Sequence, residues 1–333
     1  MMRIKSLVVL MVVGLCVSMS YGEERVIKLG IIGLDTSHVT AFTSYLNNPK
    51  NETSCKVVAA YPGGSDDVEA SYKRLDKFTK QMKEKFGVEI VSSISELCER
   101  VDGILLESVD GRKHLEQVKP VFEAGLPVFI DKPMAGSFED IVRIFHLAEK
   151  AGVRCWSSSS LRYTSSIAKA GQHGEKGNVL GCGAYSPCYL EEHHPDLYWY
   201  GIHGVEILYT IMGPGCEAVQ RVDSEDVDLA AGKWKDGRIG TFRGMRKGAR
   251  PYGAVVFGSK GVFQTGPYDG YDGLVREIAS FFRTGEVPVN NEETIEIYAF
   301  MAAADISKQN NGAEVSVPEL IEKTWAKVRG EDN

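Results

Sequence analysis

The chain has 333 residues, of which 43% are hydrophobic and 25% charged, a globular composition with enough length for two domains. Its 38 Lys and Arg residues are outnumbered by 45 Asp and Glu residues, giving a net charge of -7. This balance excludes the basic surface that binds nucleic acid, so we expect a small-molecule partner. None of the seven cysteines belongs to a C-x-x-C pair, which favours buried free thiols over disulfides.

The first 22 residues have the pattern of a secretory signal peptide. Arg3 and Lys5 precede an apolar run over residues 7–17, and small serines follow it. This run is too short for a membrane span, and no later apolar run approaches spanning length. We therefore expect residues 1–22 to be removed by Sec-type export, and the mature protein to act in the periplasm or outside the cell.

The next predicted elements are a strand over residues 28–32, a glycine-containing turn and a helix over residues 39–46. Free N–H groups at the start of such a helix attract the diphosphate of a dinucleotide. Aligning Gly33 with the first glycine of G-x-G-x-x-G places Asp35 and His38 at the other two glycine positions. The turn is therefore a candidate cofactor site with an unusual sequence.

Asp35 leaves two alternatives at this turn. A carboxylate about 4 Å from a diphosphate oxygen costs roughly 4 kcal/mol at an effective dielectric constant near 20. Alternatively, the Asp35 carboxylate itself accepts hydrogen bonds from the N–H groups at the start of the helix. Either arrangement weakens or displaces ordinary nucleotide binding.

Strands and helices then alternate strictly along the chain. Strands are predicted over residues 56–61, 88–91, 103–108, 128–130 and 153–158, and helices over residues 68–86, 95–100, 115–124 and 137–151. This order predicts an α/β fold with a Rossmann-like, doubly wound parallel sheet over residues 23–160. Ligands of such sheets bind beyond the carboxyl ends of the strands, where the turn at Gly33, the loop at residues 108–114 and Lys132 are expected.

From residue 161 the pattern changes to closely spaced strands. We predict strands over residues 179–185, 218–222, 228–234, 238–245 and 252–257, and helices over residues 202–212, 274–283 and 292–309. Lys235-Asp236-Gly237 has the composition of a hairpin turn. Residues 161–333 are therefore expected to form an α+β substrate domain with a mostly antiparallel, open sheet.

Three motifs resemble those of the Gfo/Idh/MocA family of sugar and polyol oxidoreductases, and the resemblance extends over roughly residues 26–320. Asp131-Lys132-Pro133 is similar to the family's E-K-P after the fifth strand. The segment around His203 resembles the family's G-x-H-x-x-D-L-L helix. His114 follows the fourth strand, where family members have a loop histidine. Three motifs in this order are more specific than any one of them.

The resemblance implies that Lys132 and His203 are the catalytic pair, beside the nicotinamide of NAD or NADP. When hydride leaves a C–OH carbon, a group must take the hydroxyl proton, and an imidazole or a desolvated lysine can do so. Many members carry an Asp four residues before the histidine, where this chain has Trp199. The turn and the resemblance together give the expected cofactor contacts: Gly33, Leu34, Asp35, Thr36, Ser37, His38, Ser108, Asp110, His114 and Asp131.

A dense polar cluster at residues 191–196 lies shortly before His203. Its carboxylates and imidazoles suit sugar hydroxyls, and the aromatic residues after it suit the face of a pyranose; a solvated loop is the alternative. A zinc or manganese site is not expected, because adjacent histidines cannot easily face one ion. With two residues from the domain junction, the expected substrate contacts are Arg162, Tyr163, Glu192, His193, His194 and Tyr200.

The first predicted function is that of an exported NAD(P)-dependent oxidoreductase acting on a sugar or sugar derivative. One alternative is a cofactor-independent sugar lyase, epimerase or hydratase that uses Lys132 and His203 for proton transfer alone. The other is a non-catalytic carbohydrate-binding protein. The expected partner is a small carbohydrate, with no nucleic acid and no membrane span. The resemblance also implies a homo-oligomer formed through the open face of the second sheet.

Overall fold

The computed structural model describes residues 25–172 and 177–331. These residues form two β-sheets with helices packed against them, and the sheets lie on opposite sides of residue 160 in the sequence. The predicted signal peptide lies outside the described residues.

The first sheet has six parallel strands in the order β3-β2-β1-β4-β5-β6. Its strands are β1 Ile27–Ile32, β2 Cys55–Tyr61, β3 Glu89–Ile90, β4 Gly103–Leu106, β5 Val128–Ile130 and β6 Cys155–Ser157. The helices between them are α1 His38–Leu46, α2 Glu69–Tyr72, α3 Leu75–Phe86, α4 Ile94–Cys98, α5 His114–Glu123 and α6 Phe138–Ala151. This strand order is that of a doubly wound dinucleotide-binding sheet, which confirms the predicted fold class.

The register of the parallel strands sets where their loops meet. Ile32 of β1 pairs with Tyr61 of β2 and Leu106 of β4, and Leu106 pairs with Ile130 of β5. The segments that follow these four residues therefore leave the sheet at one edge. The strand order reverses between β1 and β4, and ligands of such sheets bind at that point.

The central strands are buried on both faces. Leu29, Ile31 and Leu105 belong to one hydrophobic cluster, and Ile32 and Leu106 belong to another on the opposite face. Burial on both faces explains why these strands appear in the sequence as continuous apolar runs rather than as alternating patterns.

The second sheet has seven strands in the order β12-β11-β7-β10-β9-β8-β13, in which only β7 and β10 pair in parallel. Its strands are β7 Val179–Pro187, β8 Cys216–Asp223, β9 Val227–Trp234, β10 Ile239–Met245, β11 Gly253–Gly258, β12 Gly261–Gln264 and β13 Val315–Ser316. The accompanying helices are α7 Ser165–Gly171, α8 Gly201–Met212, α9 Asp272–Thr284, α10 Asn291–Gln309 and α11 Val317–Gly330. The mostly antiparallel sheet agrees with the prediction.

Side chains alternate between the two faces of this second sheet. Ala230 and Phe242 are buried in the core cluster beneath the helices. Val222, Ile239 and Phe257, on the opposite face, are exposed by 71%, 52% and 48%. One face of the sheet is therefore open in the monomer, as expected for the second domain.

The helix predicted over residues 68–86 is instead two helices, α2 and α3, with Lys73 and Arg74 between them. The break has a tertiary cause. Ser71 Oγ donates a hydrogen bond to Asp35 and accepts one from the Ser65 N–H, so α2 is tied to the turn after β1. The elements β12, α7 and α11 were not predicted.

Two global expectations concern thiols and membrane spans. The six described cysteines are all free, and five of them are buried, which confirms the preference for free thiols over disulfides. Within the described ranges, no helix combines the length and the apolar character needed to cross a bilayer.

Candidate active site

A cavity of about 240 Å³ lies at the carboxyl edge of the first sheet, beneath the second domain. Thr36, Ser37 and His38 line it from the start of α1, and Lys132 lines it from the end of β5. His203 lines it from α8 of the second domain. The structure thus brings the two predicted catalytic residues to one enclosed space.

Lys132 and His203 influence each other electrostatically. Burial lowers the pKa of Lys132, the charge of Asp131 opposes this, and the charge of Arg74 adds to it. Burial, followed by the charge of Lys132, holds the pKa of His203 well below its usual value, so this imidazole is neutral at pH 7. The ring of Tyr200 contacts both, with its centre 5.8 Å from Lys132 Nζ and 5.7 Å from the His203 ring centre.

Ser159 orients the imidazole of His203. Its Oγ lies 2.7 Å from Nδ1, which leaves Nε2 without a partner among the described residues. Trp199, at the position where many family members have an assisting Asp, contacts Val68 and Val109 instead. The role of Ser159 could not be predicted from the sequence, because nothing local distinguishes it from its serine neighbours.

His38 takes a role that a glycine cannot fill. Its Nδ1 is hydrogen-bonded to Asp131 Oδ2, while Asp131 Oδ1 accepts the Lys132 N–H at 2.8 Å. Burial raises the pKa of Asp131, but the charge and hydrogen bond of His38 outweigh it, so the net shift is downward. Asp131 therefore fixes both His38 and the backbone of Lys132 at the cavity wall.

The expectation that Asp35 accepts hydrogen bonds from the start of α1 is wrong. Its Oδ1 accepts the Val109 N–H at 2.9 Å and its Oδ2 accepts the Ser71 hydroxyl at 2.6 Å, so it does not cap α1. Burial raises the pKa of Asp35, while the hydrogen bonds from Ser71 and Val109 and the charge of Arg74 oppose this shift. Asp35 is a structural link between the turn after β1, the loop after β4 and α2.

The predicted nucleotide turn is closed by the protein itself. The Gly33 N–H donates to the Tyr61 carbonyl at 3.0 Å, and the Leu34 N–H donates to the Pro62 carbonyl at 2.7 Å. Val68 packs over the same groove. The N–H groups of Gly33 and Leu34 are therefore not available to a diphosphate in this conformation.

Asp110 is a cofactor candidate that lies outside the cavity. It accepts hydrogen bonds from Ser65 Oγ at 2.6 Å and from Arg112 Nη2 at 2.8 Å, and it lies 3.2 Å from His194 Nε2. Burial alone would raise the pKa of Asp110, but the bonds from His194, Arg112 and Ser65 hold it well below its usual range. This carboxylate joins the two domains, which corrects its predicted role.

His114 and Ser108 also lie outside the cavity. The ring nitrogens of His114 lie 2.7 Å from the Ser108 carbonyl and 3.1 Å from that of Met134, and its side chain is fully buried. Ser108 Oγ is buried without a hydrogen-bond partner. His114 therefore braces the segments after β4 and β5.

Arg162 and Tyr163 do not line the cavity. Arg162 Nε and Nη2 each lie 2.6 Å from a carboxylate oxygen, one of Glu206 and one of Glu293. Tyr163 packs against the hydrophobic cluster of the first domain. Their predicted substrate contacts are replaced by structural ones, because buried carboxylates on α8 and α10 require a cation.

Of the four substrate candidates near residue 195, the structure places only Tyr200 at the cavity. Glu192 is exposed, and the His193 ring bonds to Glu191 at 2.8 Å. His194 is buried, with Nδ1 2.7 Å from Glu191 and Nε2 3.2 Å from Asp110 of the first domain. His194 of this segment therefore contacts the first domain, and the sugar contacts predicted for Glu192, His193 and His194 stay a prediction.

Several cavity residues were not anticipated. Arg74 enters from the break between α2 and α3, and Tyr252, Tyr268 and Tyr271 form an aromatic wall. The Tyr268–Tyr271 pair in a glycine-containing loop could have been noticed as a polar aromatic cluster. Arg74 had no such signal, since it lies in a charged helical pattern. In the described ranges, no group of three or more His, Cys, Asp or Glu residues is placed to hold a metal ion.

Comparison with known proteins supports the fold and the family. Residues 27–159 match the family model GFO_IDH_MocA, described as an oxidoreductase family with an NAD-binding Rossmann fold. No curated protein matches the chain. The description of the family agrees with the predicted NAD or NADP and with the predicted oxidoreductase class.

Among solved structures, scyllo-inositol dehydrogenase from Lactobacillus casei, with bound NAD(H) and scyllo-inositol, has a TM-score of 0.72 and 15% identity over 88% of this chain and 99% of its own. Myo-inositol 2-dehydrogenase from Lactobacillus plantarum has a TM-score of 0.72 and 17% identity, over 87% of this chain and 99% of its own. A probable dehydrogenase from Thermotoga maritima has a TM-score of 0.70 and 22% identity, over 88% of this chain and 99% of its own. These similarities establish a shared fold across both domains.

The family match and the three sequence motifs agree. The matched region contains the turn at Gly33 and the Asp131-Lys132-Pro133 motif, and the shared fold extends the similarity to the domain that carries His203. Residues 27–159 of this chain therefore match the Gfo/Idh/MocA oxidoreductase family model, and both domains share the fold of the inositol dehydrogenases named above.

Proposed function

We propose that this protein is an NAD(P)-dependent oxidoreductase acting on a sugar or a related polyhydroxylated ring. The observation that carries the proposal is that Lys132 and His203, from different domains, line one enclosed cavity. The family of the first domain supports the redox class. The shared fold with an inositol dehydrogenase that holds NAD(H) supports the class of substrate.

In such a reaction the hydroxyl proton and the hydride leave separately. A bound nicotinamide supplies the hydride acceptor. His203 is neutral at pH 7 and its Nε2 is free, so it accepts the hydroxyl proton. Lys132 lies beside it and donates a hydrogen bond to the reacting oxygen, which stabilises the charge that develops there.

The cavity walls suit a sugar ring. Trp199, Tyr200 and Tyr252 offer aromatic faces to the C–H groups of a pyranose or cyclitol. Ser160 and Tyr268, whose hydroxyls lie 2.8 Å apart, offer polar groups to its hydroxyls. This combination of aromatic rings and hydroxyl groups suits the C–H and O–H groups of a sugar ring.

The first test uses purified mature protein and a panel of cyclitols and pyranoses with NAD+ or NADP+. We expect nucleotide reduction with one class of ring, and a Lys132→Met variant with kcat reduced by about 10²–10⁴-fold. Lys113→Met removes an exposed lysine near the same sheet edge and should keep full activity. Absence of nucleotide binding and of reduction with every ring would contradict the redox proposal.

One observation favours a second candidate, a cofactor-independent lyase or epimerase. The Leu34 N–H donates to the Pro62 carbonyl and Asp35 accepts from Ser71, so these groups of the turn are already bonded within the protein and are not available to a dinucleotide. The distinguishing test is incubation of sugars in D2O without nucleotide. Deuterium incorporation that disappears in Lys132→Met would support this candidate and exclude a required cofactor.

We also propose that the protein acts outside the cytoplasm. The support is the signal-peptide pattern of residues 1–22, which belongs to the sequence alone. Expression with the native N-terminus should yield an extracytoplasmic protein whose first residue lies near position 23, as read by N-terminal sequencing. A cytoplasmic protein that begins at Met1 or Met2 would refute export.

A further inference from the structure

We propose that the substrate is an acidic sugar whose carboxylate is bound by Arg74. The inference rests on the proposed function, because it takes the ligand to be a single polyhydroxylated ring. It adds the charge of that ring and names the residue that recognises the charge.

Arg74 lies at the break between α2 and α3 and lines the cavity beside Ala70. Its Nε donates a hydrogen bond to the Ala70 carbonyl, which fixes the guanidinium near the cavity. In the described part of the chain, no Asp or Glu oxygen lies within ion-pair distance of Arg74. The guanidinium keeps donors available for a ligand.

The charges around the cavity are unbalanced. Arg74 and Lys132 both line it, and Arg74 lies close enough to lower the pKa of Lys132, after the larger effect of burial. Among the described residues that line the cavity, none is an Asp or a Glu. The neighbouring Asp131 is already hydrogen-bonded to His38. Asp35 lies near enough to Arg74 to interact with it electrostatically, but its oxygens already accept hydrogen bonds from Ser71 and Val109. Two cations that line a cavity whose walls carry no carboxylate favour an anionic ligand.

The size of the cavity indicates which molecule carries the anion. Its volume of about 240 Å³ is below the ~300 Å³ at which pockets for drug-sized ligands begin, and it suits one sugar ring. Arg74, Lys132 and His203 share this small space. An oxyanion bound at Arg74 therefore belongs to the same ring whose hydroxyl Lys132 and His203 contact.

A planar guanidinium also matches a carboxylate chemically. It presents two parallel N–H donors to the two carboxylate oxygens, a geometry that an ammonium group cannot reproduce. A hexuronate in its pyranose form carries such a group on its ring of hydroxyls. A diphosphate could use the same donors, so the test separates a substrate carboxylate from a cofactor phosphate.

The test is calorimetric titration of the mature protein with D-glucuronate and D-galacturonate, with the neutral sugars D-glucose and D-galactose, and separately with NAD+ and NADP+. We expect a uronate to bind at least tenfold more tightly than its neutral counterpart. Arg74→Gln should weaken uronate binding about ten- to a hundredfold and leave neutral-sugar binding unchanged. Arg74→Lys should restore part of the loss.

Lys73→Gln is the matched control, because it removes one positive charge from the adjacent, exposed residue. It should not change uronate affinity. Equal binding of uronates and neutral sugars would overturn the inference, as would an Arg74→Gln variant that loses only nucleotide affinity. These binding measurements need no turnover, so a protein that binds uronates but reduces no nucleotide would refute the proposed redox function and leave this inference intact.

Discussion

The imidazole of His203 is held in place by three neighbours. Ser159 Oγ lies 2.7 Å from Nδ1, and the rings of Tyr200 and Tyr252 each pack edge-on with ring centres 5.7 Å away. The hydrogen bond determines which nitrogen faces the cavity, while the aromatic contacts exclude water from the ring. A base that is oriented in this way needs no carboxylate partner, which accounts for Trp199 at the position of the family's Asp.

Ser159→Ala should therefore lower kcat about tenfold with little change in KM, because the lost bond is worth about 1 kcal/mol and the substrate contacts remain. Steady-state kinetics on the substrate identified above measures this, and Ser159→Thr should restore kcat. Ser159 Oγ also caps the turn before Leu161. Ser93→Ala, which removes a similar cap from α4 far from the cavity, is the control for that structural loss. A raised KM at unchanged kcat would contradict the positioning role.

The turn between β1 and α1 is the element on which the site is built. Gly33 has a φ of +91°, and a Cβ added there would lie 2.3 Å from the Ser108 nitrogen. Asp35 then ties the turn to α2 and to the loop after β4. Close packing and these hydrogen bonds thus fix the start of α1, which carries His38 into the cavity wall.

Gly33→Ala should destabilise the protein by about 2–5 kcal/mol, because it combines a left-handed backbone conformation with a steric clash. Gly87→Ala is the matched control, since Gly87 has a φ of +64° and a Cβ added there would meet no atom within 4 Å. Gly87→Ala should lower the free energy of unfolding by about 1 kcal/mol. Urea unfolding measures both values. If both variants lost the same free energy of unfolding, the backbone at Ser108 would have to move aside at no cost, which would contradict the predicted clash.

The molecule as a whole depends on contacts between its two halves. Arg162 follows β6 and binds Glu206 of α8 and Glu293 of α10, and its side chain is only 14% exposed. On another side, Asp110 of the first domain meets His194 of the second. The cavity lies between these two junctions, so the spacing of Lys132 and His203 depends on both.

Arg162→Met should lower the free energy of unfolding by about 3–5 kcal/mol, because it leaves two carboxylates without their cation in a mostly buried position. Arg100→Met removes an arginine whose ion pairs with Glu89 and Glu96 are exposed, and it should cost less than about 1 kcal/mol. Chemical unfolding of both variants gives the comparison. A small loss at Arg162 would mean that this junction does not hold the domains together.

The sequence by itself determined the order of strands and helices in the first domain and the positions of Lys132 and His203. Hydrophobic periodicity is a local signal, and a residue that directly follows a buried parallel strand must lie at the ligand edge of the sheet. These arguments need no knowledge of distant contacts, and for that reason they placed Lys132 correctly at the cavity. The resemblance added His203 through a motif on one helix.

The tertiary structure alone decided what the other polar residues contact. Asp35 bonds to Ser71 over 36 residues of sequence, and His203 and Glu206 find their partners Ser159 and Arg162 over 44. A charged side chain binds whichever opposite charge or donor packing brings to it, and sequence spacing carries no record of that meeting. Packing thus made Arg162 a structural residue and left Arg74 free to face the cavity.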